Sequence, residues 1–431
     1  NSRQRVFFMR RTFWCFLWQT LSSQRACRDV VLHVKAMRAL DSESVISSDT
    51  GAYVTARQRL PLDRLVTIFE KLASLAASKA GYIKGAHGRR VMAVDATVIQ
   101  LQDTAELQKR YPQPPLQKGS CGFPIMKISA LFNLASGSIH NVETANRKVH
   151  ELPLFFRLFS SLRRGDIWIG DALYSAYAIL AHSVLHGIDA VVRMEGPRLI
   201  SFRQGRKIGP NERLITWTKP ACKPHYLTKR QWTAIPATIQ LRLVRIKLHR
   251  KGWRPLEFFV VTTLMDQKVY PAEWIAELYL RRWRLELCFR DLKTSLGMEN
   301  LRTKSAAMVQ KEMMMFLIAH NMIRCMIAEA AKIHEKTIDA ISFIGTVSVI
   351  RQYCHALAEA RNKKTRRKLF KAILDAIAEE VLPFRPNRIE PRAIKKRPKT
   401  FARLMISRKS FRARNAKKYS PVLSPAQIYG H

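Results

Sequence analysis

Tyr279, Arg282, Glu286 and Lys293 follow the spacing Tyr-x2-Arg-x3-Glu-x6-Lys in a stretch rich in Leu and Arg and free of Gly and Pro. Pro271 opens the stretch, and Pro suits the first turn of a helix, so one helix is expected from about 272 to 296. At about 100° per residue the four fall near 0°, −60°, −20° and −40°, a narrow stripe along roughly 21 Å of axis. A carboxylate among cations on one helix face can hold a metal while its neighbours grip phosphates. The plain alternative is a solvated face tied by i,i+4 ion pairs.

Two further carboxylates stand upstream in strand-like surroundings. Asp95 lies in the β-branched run Val91–Ile99. A continuous apolar strand of this kind is covered on both faces, where an acid is costly unless paired, hydrogen-bonded or on a metal. A capping Asp at the strand end is the structural alternative. Asp171 closes Gly165-Asp166-Ile167-Trp168-Ile169-Gly170-Asp171. Asp166 is its rival, but it precedes that strand and belongs at the far end.

The elements that must position these groups read as follows. Residues 1 to about 86 are helical, with Pro only at 61. Within them Asp49 or Thr50 can cap a short helix that projects Arg57 and Arg59 and stops at Pro61. Phe123–Leu134 and Ser138–Thr144 are strands joined by the Ala135-Ser136-Gly137 turn. Three antiparallel strands followed by a helix at 150–162 are the opening of a ribonuclease-H-like domain. A helix at 175–186 and a strand at 188–193 continue it. Residues 196–255 then carry fifteen Lys/Arg against the single acid Glu212. There Val244, Ile246 and Leu248 alternate with Arg245, Lys247 and His249, a strand with one apolar and one basic face. Arg245 and Lys247 suit phosphate contact, and Trp217, Trp232 and Trp253 suit either base stacking or core packing. An apolar strand at 256–265 leads into the Tyr279–Lys293 helix. An amphipathic helix at 308–331 follows, with Met313-Met314-Met315 as core filler, then helical sequence at 337–381.

With both upstream aspartates in place, the spacing Tyr-x2-Arg-x3-Glu-x6-Lys resembles the signature helix of bacterial insertion-sequence transposases of the DDE class, the insertion-sequence-four family. Asp95-x-Thr-x-Ile99, Leu301-Arg302-x-Lys304-Ser305 and the phrase from Ser48 to Pro61 resemble the same family, and the likeness runs over roughly residues 5 to 418. It implies an α/β fold: a ribonuclease-H-like catalytic core at 89–345, interrupted by a basic β insertion at 196–255. An N-terminal helical, DNA-binding domain (1–88) precedes it, and a helical C-terminal region with a basic tail (346–431) follows. It implies Asp95, Asp171 and Glu286 as catalytic and metal-binding residues, with two Mg²⁺ ions, or Mn²⁺ in their place. Tyr279, Arg282 and Lys293 would hold the phosphate beside the cleaved end. The implied activity is cut-and-paste transposition at terminal inverted repeats, in a homodimeric DNA complex. The alternatives are a two-metal nuclease or resolvase on the same fold, and a non-enzymatic DNA-binding derivative.

Composition agrees with a polyanionic partner. The 431 residues hold 75 Lys+Arg against 32 Asp+Glu, a net charge of +43. A membrane surface or an RNA-packed assembly is the competing explanation. From 385 to 418 fourteen Lys/Arg meet one acid, a tail expected to order on DNA. Seven cysteines without CxxC spacing offer neither a zinc module nor a disulfide framework and fit a reducing cytosol, with the nucleoid as the working place. No run near 18 apolar residues is evident, so no membrane span is expected.

Overall fold

The computed structural model describes residues 6–40, 44, 46–115, 121–194, 202, 205–248, 256–360, 362–383 and 405–414. Four helices open the chain: α1 (Met9–Leu21), α2 (Cys27–Leu40), α3 (Gly51–Arg59) and α4 (Leu62–Ala80). The end of α3 behaves differently from the sequence expectation. Thr50 precedes the helix without a side-chain capping bond, and Arg57 is 8% exposed rather than projecting; Arg59 is exposed.

One sheet of nine strands forms the centre. Its strands are β1 (Val91–Gln100), β2 (Ile125–Asn133), β3 (Ile139–Asn146), β4 (Ile167–Gly170), β5 (Asp189–Arg193), β6 (Arg206–Gly209), β7 (Glu212–Thr218), β8 (Thr238–Leu248) and β9 (Leu256–Thr262). They lie in the order β3-β2-β1-β4-β5-β9-β8-β7-β6. β1, β2 and β3 are antiparallel neighbours, whereas β4 runs parallel to β1 and β5 parallel to β4. The parallel pairs need crossovers. α6 (Glu151–Leu158) lies between β3 and β4, and α7 (Tyr177–Leu185) between β4 and β5. The basic insertion extends the same sheet, because β9 pairs with β5 through Val191–Arg193 and with β8 along its other edge.

Both faces of the sheet are covered, as a continuous apolar strand requires. Ala93 and Ile99 of β1 face a core shared with the N-terminal helices and the C-terminal half of the chain. Met92 and Val94 face a second core with Phe155, Tyr174 and Leu180 around α6 and α7. In the first core α4 packs along α11 (Ala306–Ile333), and α12 (Phe343–Glu359) and α13 (Lys363–Glu379) close the assembly. The remaining helices are α5 (Ala105–Arg110), α8 (Lys229–Ala234), α9 (Ala272–Leu280), α10 (Arg284–Arg290) and α14 (Arg408–Arg414).

α11 corrects two expectations. It is buried on nearly all sides rather than amphipathic, and it is long and apolar enough to cross a membrane by composition alone. In the fold 83% of its apolar window is buried in protein, which gives its hydrophobicity a core to fill. Its Asn321 side chain accepts from the Ile139 N–H and donates to the Ile139 carbonyl, both at 2.8 Å, which ties α11 to the start of β3.

β8 departs from its expected two-faced character at Arg242. This residue shares a face with Val244 and Ile246, yet it is 0% exposed and paired to Glu212 at 2.8 and 3.1 Å. Its remaining donors reach the carbonyls of Tyr270 and Leu264. A buried guanidinium is tolerated because its charge and its donors are met. The insertion's single acid is therefore a structural counter-ion.

Candidate active site

The parallel register positions the two aspartates. Val91 pairs with Ile167 and Ala93 with Ile169, an offset of 76 residues, which is also the separation of Asp95 and Asp171. Extended two residues, that register puts the two acids level, Asp95 midway along β1 and Asp171 just past the end of β4. The β4–β5 register (Ile167 with Asp189, Gly170 with Val192) is offset by 22, which brings Arg193 to the same level as Asp171. Side chains alternate along a strand, so Asp95 and Asp171 share the face of Ala93 and Ile169, on which the Tyr279–Lys293 segment packs.

Asp95 is half-buried and accepts from the Ala96 N–H at 2.8 Å. Burial first, and the nearby Asp171 and Glu151 charges, push its carboxyl up to about 6, against the pull of the Ala96 N–H and Arg282. Asp171 caps a short turn at Ala172–Tyr174 by accepting from the Leu173 N–H at 2.9 Å. Asp166 sits at the other end of β4, as expected. It is 3% exposed and chelated by Arg90, with Nε to Oδ1 at 2.9 Å and Nη2 to Oδ2 at 2.5 Å. It also accepts from the Arg163 N–H at 2.7 Å. Three donors thus hold it in a structural role at the far end of β4.

The signature segment is helical throughout, but not at one pitch. α9 runs into a tight turn at Arg281–Trp283, then α10, then a wide π turn at Asp291–Ser295. The wide turn is anchored by Asp291, which pairs with Arg324 of α11 at 2.6 Å while both are buried. Inserted π turns are frequent at functional sites. A constant 100° step therefore does not describe the stripe. Tyr279 is 6% exposed, packs on Phe258 at 5.6 Å, and lies under the Arg282 guanidinium at 5.8 Å. Burial pushes its phenol up, and Arg282 and Arg193 pull it down. Arg282 is half-buried and its Nε meets no hydrogen-bond partner. Lys293 reaches across to Thr97 Oγ1 at 3.3 Å, on the Asp95 face of β1.

Asp95, Asp171, Arg282 and Tyr279 are thus brought together, with Lys293 two residues along β1. Glu286 is not drawn into the cluster: it is exposed, one helical turn beyond Arg282. Among the described residues no three His, Cys, Asp or Glu side chains are gathered tightly enough to hold a metal ion. Arg245 and Lys247 stand elsewhere, on β8. Arg245 bonds the Asn211 side chain at 2.9 and 3.1 Å and covers the Phe202 ring, and Lys247 faces Glu257 at 3.9 Å. Trp217 and Trp232 pack against the second core, and Trp253 lies outside the described residues.

Sequence reasoning missed three neighbours of the aspartates. Arg193 ends β5 and stands over the Phe258 ring at 5.6 Å; a cation closing a parallel strand was its signal. Glu151, at the start of α6, lies close enough to raise Asp95. Tyr174 is fully buried; burial, with Glu151, Asp95 and Asp171 beside it, holds its phenol well above the usual range. Neither carried a spacing that pointed to Asp95.

The family model for the transposase DDE domain matches residues 86–322. Over 400 residues the chain is 22% identical to the transposase InsG for insertion sequence element IS4 of Escherichia coli (strain K12), covering 92% of this chain and 87% of that protein. A cryo-EM structure of a piggyBac transposase synaptic complex with hairpin DNA superposes with a TM-score of 0.42 at 12% identity, over 97% of this chain and 82% of that one. The aspartate pair and the signature segment both lie within the matched span, and the chain belongs to the DDE-domain transposases.

Proposed function

We propose that Asp95, Asp171 and Glu286 are the acids of a metal-dependent strand-cleavage and strand-transfer centre. The observation that carries this reading is the pair of carboxylates level on adjacent parallel strands, beneath an Arg282 guanidinium with an unused donor. The strand order β3-β2-β1-β4-β5 supports a ribonuclease-H-like core. In that reading residues 1–88 form a DNA-binding unit, 89–345 the catalytic unit and 346–431 the C-terminal region.

Asp95 and Asp171 fit a hard divalent cation by donor type, and Glu286 would turn inward to complete the set. Carboxylate oxygens are its preferred ligands, and a bound cation would offset the burial and, after it, the Asp171 charge that raise Asp95. When bound, two Mg²⁺ ions (Mn²⁺ as substitute) would supply charge stabilisation at the phosphorus and a lowered pKa for the attacking water or 3′-hydroxyl. Asp95 and Asp171 are held rigid by the sheet, and Glu286, one turn past Arg282, supplies the third carboxylate. Arg282 and Lys293 grip the phosphate beside the cleaved end, Tyr279 donates a hydrogen bond to it, and Arg193 extends the cationic rim. Arg245 and Lys247, on β8, would meet flanking phosphates. The substrates are terminal inverted repeats and target DNA, handled by a homodimer working at the bacterial nucleoid.

Supercoiled DNA carrying the element's own ends tests the reading. Cleavage and joining to target DNA are expected with Mg²⁺ and not with chelator. Nicking without joining would identify a nuclease or resolvase instead, and binding without cleavage a DNA-binding derivative.

A further inference from the structure

A cavity of about 630 Å³ lies away from the aspartates, between α1, α3 and the segment that leads into α11. Arg25, Arg57, Arg302 and Lys304 are in its wall, with Glu312 as the acid. Both Glu312 oxygens are already committed, accepting from the Arg302 and Thr303 N–H groups at 2.9 to 3.1 Å. Arg25 donates to the Gly297 carbonyl and Arg302 to the Gln24 carbonyl, and such dipoles satisfy donors without neutralising charge. Burial first, then Arg302, lowers the Arg25 pKa, and Glu312 pulls it back up.

Arg57 is the most deeply buried of the four. It is held between the Phe16 and Tyr53 rings at 5.0 and 5.1 Å, and its Nη1 donates to Gln19 Oε1 at 3.2 Å. It forms no ion pair among the described residues, and its Nε is buried without a partner. Thr303 Oγ1, in the same wall, is buried and unpartnered too. A buried cation is costly unless an anion completes it, and one wall holds four cations against one acid, with two idle polar groups. We propose that this cavity is a phosphate-binding site, distinct from the aspartate centre, that clamps a phosphate group between α3 and the Arg302–Ser305 segment. Its size suits a phosphate with its attached sugar. The carrier is taken as a DNA strand, and only that identity rests on the function proposed above.

Thermal unfolding of the full chain at fixed ionic strength tests it. Inorganic phosphate, compared with chloride, should raise the melting temperature by about 2 °C or more. Arg57→Gln and Lys304→Gln should melt near the wild type in chloride and lose that rise. Should Arg57→Gln fail to fold, exposed Lys304 decides alone. With a short DNA duplex, Lys304→Gln should reduce the slope of log K against log salt by about 0.9. A rise with inorganic phosphate identifies a site that takes the free anion; a slope change without it identifies a backbone phosphate as the ligand. Asp95→Asn should retain the wild-type response, which separates this site from the cleavage centre. Identical responses in wild type and both variants, or loss of the response in Asp95→Asn, overturn the proposal.

Discussion

At the residue scale, the two aspartates of the Gly165–Asp171 strand separate structural from chemical acids. Asp166 answers Arg90 in a pair that is almost wholly buried, so Asp166→Ala strands a cation and should cost about 3–5 kcal/mol of stability. Denaturant unfolding measures this, and cleavage should persist below the lowered melting point. Asp171→Asn should do the opposite, folding normally and losing cleavage. Glu286→Gln removes the charge that a metal requires and leaves the phosphate contacts in place. Mg²⁺-dependent cleavage should fall by roughly a thousandfold or more while binding to the inverted repeats stays near wild type. Wild-type cutting by Glu286→Gln would return this side chain to the role of a solvated surface acid.

At the scale of elements, the π turn after α10 depends on one ion pair. Asp291→Ala leaves Arg324 buried without its partner, and a loss of about 3–5 kcal/mol is expected by denaturant unfolding. Cleavage should suffer beyond that loss, since the turn sets where Lys293 meets Thr97. α7 carries a pH dependence. His182 lies tilted against Phe156 at 4.7 Å and His186 at 4.1 Å, and burial, then His186, holds it down to about 4. The unfolded chain takes that proton near pH 6.5, the folded chain only near 4, so stability falls as pH drops through this window. His182→Phe should flatten the melting temperature between pH 6.5 and 4; an unchanged profile would show that other groups govern it.

At the scale of the whole molecule, a charge of +43 makes salt the controlling variable. Each phosphate neutralised adds roughly 0.9 to the slope of log K against log salt. Removing residues 385–431 should lower that slope and weaken binding to any DNA sequence; an unchanged slope would leave the tail a solubilising extension. Of that tail, Arg408–Arg414 is a short helix, and most of the rest lies outside the described residues.

The amino-acid sequence by itself determined most of the strands, the covered central position of β1 and the placement of Asp171 rather than Asp166 beside Asp95; β6 and β7 were not read from it. These follow from local alternation and strand polarity: an acid before a strand and an acid after it cannot occupy the same edge. The sequence also carried the Tyr279–Lys293 spacing and its helical character, but not the tight and wide turns that break its pitch. Only the tertiary structure decided that Arg57 turns inward onto Phe16 and Tyr53, and that Arg242 pairs with Glu212 inside the sheet. It alone also placed Arg193, Glu151 and Tyr174 around the aspartates. Whether a cation is solvated or buried depends on partners dozens to hundreds of residues away, and local periodicity holds no record of them.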